Sequence, residues 1–353
     1  MIRVGLVGFG MAGRVFHAPL ISSVEGLELA AVVERHTDQA AARYPGIKTY
    51  RSLDAMLADD SLDLFVVATP TGGHFEVTRQ VLLAGKNVVA DKPVAVGSDE
   101  IAQLMKLAAE RKLMLCPFHE LRWNDNLRTI QKLLAAGSLG RLAEMELNWD
   151  RWRPAWQPER WKEQLVHGAG ILLDLGTHLI DQALVLFGLP QAVNANIWRE
   201  RDGEGPEDAF TLRLAYPRLE VLLRSTTLGA LARPVVHLRG TKGNYWKWAL
   251  DPQEAALGKI TRIDNSQPWG QEPTANWGLL HVDVEGDAVT RPVEPIYGDY
   301  RLFYAGVRDA LLGLAPAPVE TVAAWRAARV IEWARESAAE RREIACDWSG
   351  EPE

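Results

Sequence analysis

Cysteine is scarce. The 353 residues hold only Cys116 and Cys346, far apart and in no metal-ligand spacing. A disulfide framework and a cysteine-held metal are not expected, and the scarcity fits a reducing compartment. Positive charge is not in excess: 39 Lys and Arg stand against 46 Asp and Glu, a formal net charge of −7. Nucleic acid is therefore not an expected partner. No uncharged apolar run reaches the roughly 20 residues that a membrane crossing needs. The opening MIRVGLVGFG lacks the basic stretch and small-residue cleavage site of a secretion signal. The expected location is cytoplasmic.

What remains is an ordinary soluble composition, 47% apolar and 24% charged, with an unusual 13 tryptophans. The length suits two domains. In the first third, apolar runs at Ile2–Gly8, Leu29–Glu34, Leu62–Thr69, Asn87–Asp91 and Leu113–Phe118 alternate with helical stretches such as Phe75–Ala84 and Asp99–Lys112. Ser98 is read as the N-cap of the latter. Apolar runs without polar alternation, separated by helices, predict a parallel sheet covered on both faces. After Phe118 the pattern changes to period-two strands at Leu142–Trp149, Val193–Trp198, Ala209–Tyr216, Glu220–Thr226 and Val235–Arg239. The fold class expected is α/β: a doubly wound Rossmann domain over residues 1–121. An α+β domain with a large, mostly antiparallel open sheet follows over 122–353.

The first strand ends in Gly8-Phe9-Gly10-Met11-Ala12-Gly13. A lone GxGxxG is weak, but behind a strand at the start of a βαβ unit it predicts dinucleotide binding. Gly8 permits the tight turn, Gly10 lets backbone approach a pyrophosphate, and Gly13 allows close helix–strand packing. Met11 and Ala12 carry the N–H groups between them. Glu34, ending the second strand, is placed to bind ribose hydroxyls and favours NAD. Arg35 beside it can instead pair a 2′-phosphate, so NAD or NADP is the expected cofactor. The loops Ala68-Thr69-Pro70-Thr71-Gly72-Gly73-His74 and Asp91-Lys92-Pro93 end two further strands and so face the cofactor crevice. Lys92 there would lose its proton readily through burial and like charge, and could serve a reacting hydroxyl. A surface lysine closing a strand is the plain alternative.

From Ile171 to Phe187 the chain reads as a helix apolar nearly all round, hence buried. Asp174, His178 and Asp181 fall on one stripe of it. Buried acid and imidazole groups are costly unless paired or used. A polar stripe on a wet groove competes with a catalytic wall. Trp149-Asp150-Arg151-Trp152-Arg153-Pro154 interleaves aromatic rings with charges. Rings suit the apolar faces of sugars, and Asp150, Arg151 and Arg153 can bond hydroxyls; interface packing explains the tryptophans equally.

Gly8–Gly13 with Phe16-His17-Ala18-Pro19, then Asp91-Lys92-Pro93, then Gly168-Ala169-Gly170 leading to Asp174-Leu175-Gly176-Thr177-His178, occur here in one order. Together they resemble the glucose–fructose oxidoreductase and inositol dehydrogenase family over nearly the whole chain. Asp150–Pro154 and His178–Leu184 are similar to its scyllo-inositol-type branch. The resemblance implies a Rossmann domain, an open-sheet second domain, and homodimers or homotetramers built through that sheet. It also implies Lys92, Asp174 and His178 as catalytic residues. His119, Glu120 and Arg122 stand where the family has a His-Asn-Arg-Arg-Trp-Asp pattern, and are expected at the substrate.

The activity expected is NAD(P)-dependent hydride transfer from a cyclic polyol or sugar, with His178 or Lys92 taking the hydroxyl proton. Alternatives on the same scaffold are imine or enone reduction, NAD-assisted glycoside cleavage, and a non-catalytic NAD(P) sensor.

Overall fold

A computed structural model describes residues 1–284 and 286–352. Two sheets organise it. The first is wholly parallel: β1 (Ile2–Val7), β2 (Leu27–Val33), β3 (Lys48–Tyr50), β4 (Leu64–Val67), β5 (Asn87–Asp91) and β6 (Leu115–Phe118) lie in the order β3-β2-β1-β4-β5-β6. The near-continuous apolar runs follow from burial on both faces: every residue of β4 and β6 is buried. Separate apolar clusters cover the two sides, one around Leu6, Leu20 and Phe118, the other around Phe65, Val88 and Leu104. Strand order reverses between β1 and β4, where such sheets open a ligand crevice beyond their carboxyl ends. The turns carrying Gly8, Thr69 and Lys92 all leave strands at that edge.

The second sheet has nine strands. It contains β7 (Leu142–Asn148), β8 (Ala192–Trp198), β9 (Ala209–Tyr216), β10 (Leu219–Thr226), β11 (Val236–Gly240), β12 (Gly243–Lys247), β13 (Gly278–Val284), β14 (Asp287–Val293) and β15 (Ile344–Ala345). Their order is β14-β13-β12-β11-β7-β10-β9-β8-β15, antiparallel except for β7 beside β10. Strict alternation of buried and half-exposed residues along β9 and β10 puts one face on a core. Helices Thr177–Phe187 and Thr321–Glu340 cover that face. The other face carries cross-strand ion pairs, Arg224–Glu146 at 2.7 Å, Arg239–Glu144 at 2.8 Å and Arg213–Glu220 at 2.6 Å.

The helix Thr321–Glu340 serves both units. Trp325 packs in a cluster under the first sheet and Trp333 in the core of the second, at 4% and 5% exposure. Truncating a tryptophan buried to this degree costs about 3–5 kcal/mol. This ties the first sheet to a helix near the end of the chain.

Two local expectations need correction. Ser98 is the first residue of its helix rather than the cap; the cap is Gly97, whose N–H donates to Glu100. Ser98 is used elsewhere, donating through its N–H and hydroxyl to Glu332 in the long helix. The stretch before His178 is not regular α-helix either. Leu172–Gly176 forms a π turn, and the α-helix begins at Thr177. The π turn carries Asp174, and such turns concentrate at functional sites.

Candidate active site

The glycine turn has the shape a pyrophosphate needs. Gly8 adopts φ +104°, and a Cβ there would lie 2.6 Å from Ala68 O. A Cβ on Gly13 would lie 2.2 Å from Gly8 O, so only hydrogen fits where the helix meets the strand end. Gly10 has open space where a Cβ would be, leaving its backbone approachable. Met11, half exposed beside it, opens the helical stretch and Ala12 continues it. His74 braces the neighbouring loops, its Nδ1 2.7 Å from Pro93 O and its Nε2 2.6 Å from Thr69 O. Pro70 is exposed at the rim and the Thr69 hydroxyl is buried without a partner. These features fit a dinucleotide.

Glu34 follows β2 at its carboxyl end, as expected of a ribose ligand, with its carboxylate already engaged. Its carboxylate accepts from the backbone N–H of Gln39 and Ala40, at 3.1 and 3.0 Å, and from the Thr37 hydroxyl. Both oxygens are thus held by the start of the next helix. Arg35 beside it is exposed.

Lys92 follows β5 through a cis bond to Pro93. Its ammonium crosses to the second domain, donating to the Asp174 carbonyl at 2.6 Å and lying 3.6 Å from Oδ1 of the same residue. Asp174 is a charge hub: Arg151 reaches Oδ2 at 3.2 Å and Lys162 reaches Oδ1 at 2.5 Å. Burial alone would raise this carboxyl's pKa; Lys162, Lys92 and Arg151 outweigh it and hold the group well below the usual range. Burial and the nearby Lys162 push Lys92 down, against the pull of Asp174.

His178 sits behind this hub, buried, its ring 5.7 Å from that of Trp149 and its Nε2 3.9 Å from Glu120 Oε1. Its Nδ1 is buried with no hydrogen-bond partner. Burial, then Lys92 and His119, hold its pKa well below the ordinary imidazole value, so it is neutral at pH 7. Glu120 goes the other way: burial, with a smaller push from Asp91, outweighs the pull of Lys92 and raises its carboxyl to about 8. His119 is pushed down to about 4 by burial and by Arg122 and Lys92, despite Asp181 3.7 Å away. Two uncharged imidazoles and one carboxyl of raised pKa therefore lie beside Lys92, with unused hydrogen-bonding atoms on His119, Glu120 and His178 among the described residues. A hydroxylated ligand satisfies such atoms.

Other expected residues differ in how far they are already engaged. Asp181 accepts a bidentate pair from Arg122 at 2.9 and 2.6 Å, through Nε and Nη2 of the guanidinium. Asp150 is held bidentately by Arg233 at 2.8 and 2.6 Å. Arg153 makes no side-chain hydrogen bond or ion pair among the described residues. Lys162 is the site residue that sequence reasoning missed. It lies on an irregular strap, residues 150–170, which has no periodicity to announce it. The strap also touches the first domain: a Cβ on Gly72 would meet His167 O at 2.6 Å, and one on Gly168 would meet Gly72 N at 2.8 Å.

A parallel sheet ordered 3-2-1-4-5-6 with a glycine cradle, and a lysine at one strand end that meets an acid of the second domain near a buried histidine, defines a Rossmann-type oxidoreductase. The chain belongs to the glucose–fructose oxidoreductase, inositol dehydrogenase and MocA family. Residues 2–119 match its NAD-binding Rossmann-fold model and 131–346 its C-terminal alpha/beta domain. The cofactor is NAD or NADP. The chain is 38% identical over 343 residues to the Escherichia coli K12 oxidoreductase YdgJ, covering 96% of this chain and 97% of that one. It is 32% identical to the scyllo-inositol 2-dehydrogenase (NADP(+)) IolW of Bacillus subtilis 168, covering 97% and 95%. The solved structure of yvaA from Bacillus subtilis superposes with a TM-score of 0.92 at 31% identity, covering 98% and 99%. Among the described residues, no helix is long and apolar enough to cross a membrane.

Proposed function

We propose that the chain is an NAD(P)-dependent dehydrogenase moving a hydride between the nicotinamide and a secondary or anomeric carbon of a cyclic polyol or sugar. When bound, the cofactor accepts or gives the hydride. The glycine turn would hold its phosphates, and the Thr69–His74 loop and Lys92 would line the same crevice. The observation that carries the reading is the buried Lys92 ammonium. It reaches 2.6 Å from the Asp174 carbonyl beside a neutral His178, within one group of unsatisfied polar atoms. Lys92 polarises the substrate oxygen, and His178, kept uncharged by burial, accepts the hydroxyl proton. Asp174 does not orient the imidazole by a direct bond. It fixes Lys92, Arg151 and Lys162 instead.

Scyllo-inositol, other inositols and aldoses offered with NAD and with NADP, read by nicotinamide absorbance, test the activity. Lys92→Ala and His178→Ala should each lower kcat by about 10²–10⁴, with cofactor still bound. Near-normal turnover in both variants ends this assignment. The engaged Glu34 carboxylate and exposed Arg35 support use of NADP at least as readily as NAD. A strong preference for NAD would overturn that. Assembly into dimers or tetramers through the outer face of the nine-stranded sheet belongs to the same reading, and light scattering measures it.

A further inference from the structure

Positive charge around Asp174 exceeds what the protein neutralises. Asp174 answers Lys92 at 3.6 Å, Arg151 at 3.2 Å and Lys162 at 2.5 Å, and of these three cations Lys92 also feels the buried Asp91. Glu163, the other carboxylate nearby, is taken by Arg201 at 3.0 Å, and Arg160 approaches it only to 4.0 Å. Arg201 also holds Asp208 at 2.7 Å and lies 3.5 Å over the Trp156 ring, so it is fixed. Arg153 is left over. Arg151 and Arg153 lie two residues apart on an extended stretch whose N–H groups donate to Thr226 and Thr227 at 2.9 and 2.7 Å, so their side chains leave on one side. Arg153 is partly buried, feels Arg151 and Arg160 as repulsion more strongly than Glu163 and Asp174 as attraction, and makes no ion pair among the described residues. A half-buried guanidinium among like charges is costly unless an anion completes it. The oxidised nicotinamide would add a further positive charge to the same cleft. An uncharged polyol leaves that surplus standing.

We propose that the substrate is a polyhydroxy compound bearing an anionic group, received by Arg153 with Arg151 and Lys162 beside it. The proposal rests on the hydride-transfer reading and narrows its substrate class. A planar guanidinium fork pairs with a carboxylate or a phosphate. The reaction is unchanged: the carbon-bound hydrogen leaves as hydride and the hydroxyl proton goes to His178, while the anionic group keeps its charge throughout. Opposite charge across a site contributes chiefly to selection and capture of the ligand.

The test compares an aldohexose, its uronic acid and its 6-phosphate ester on the full-length protein with saturating cofactor. One charged member should exceed the neutral sugar about tenfold or more in kcat/KM. Which one does so identifies the anion. Its KM should rise with ionic strength. Arg153→Gln should remove most of that advantage through KM, with the cofactor dissociation constant unmoved. Equal kcat/KM for charged and neutral members overturns the proposal. So does an Arg153→Gln loss confined to cofactor binding, which would assign Arg153 to the dinucleotide. Calorimetry with cofactor present separates this proposal from the reading beneath it. Tight binding of a charged member without turnover keeps the anion site and removes the dehydrogenase activity. Turnover of neutral sugars with no binding of charged ones does the reverse.

Discussion

Replacing Lys162 by Met removes one positive charge while keeping most of the side chain's length. Lys162 and Lys92 lie 2.5 and 3.6 Å from the same Asp174 oxygen, so their nitrogens are at most about 6 Å apart. Two unit charges at about 6 Å, in an effective dielectric of about 20, repel by roughly 2.8 kcal/mol. The Lys162 side chain is 37% exposed, so solvent screens the interaction. Halving it leaves about 1.4 kcal/mol, or about one pKa unit. The sign follows from the like charge: Lys162 makes Lys92 and His178 harder to protonate, and its removal raises both pKa values. A group acting as base must be unprotonated. The acid limb of the kcat/KM profile should therefore move up, by about one pH unit if Lys92 sets it and by less if His178 does, since Lys162 acts on His178 more weakly than Lys92 does. Lys162→Arg should restore the wild-type profile. Measurement is by initial rates across the pH range in which the protein stays folded. An unmoved limb in Lys162→Met would refute the electrostatic coupling, whatever happened to KM.

Gly13→Ala would set a Cβ 2.2 Å from Gly8 O. Cofactor affinity, followed by fluorescence titration, should fall by about tenfold or more, because the helix cannot seat against the strand end. Arg122→Ala strips Asp181 of its bidentate partner and leaves a carboxylate with 3% side-chain exposure beside His119. Breaking such a pair costs about 3 kcal/mol, visible as a lower Tm. Burial would raise the Asp181 carboxyl, but His119 and Arg122 hold it below its ordinary value. The pair's stability is thus present above the unfolded carboxyl range and lost as pH falls through the folded one. The stability gap between Arg122→Ala and the parent protein should accordingly narrow on acidification.

The first domain was legible because burial on both faces leaves uninterrupted apolar runs, and because Gly8, Gly10 and Gly13 sit at a strand end. β3 escaped notice, since only three half-exposed residues form it. β13 and β14 follow a long irregular stretch, and β14 is almost wholly exposed, without the alternation that marks a half-buried strand. At the site, Lys92 and His178 stood out through motif position and buried-helix context. Periodicity placed Asp174 near His178 but could not show that its carboxylate pairs with Lys92, Arg151 and Lys162, which come from other stretches of the chain. Lys162 left no trace in sequence, because its role comes from where an irregular strap folds back.

At Gly72 and Gly168 two main chains from different domains meet, with the Thr71 and His167 side chains beside the contact. The contact works as a gauge block: the spacing of the two chains there is set by the thickness of bare peptide. An alanine at either position would act as a shim, prising the lysine-bearing strand end from the histidine-bearing helix. Catalysis would then suffer from a methyl group that touches neither substrate nor cofactor.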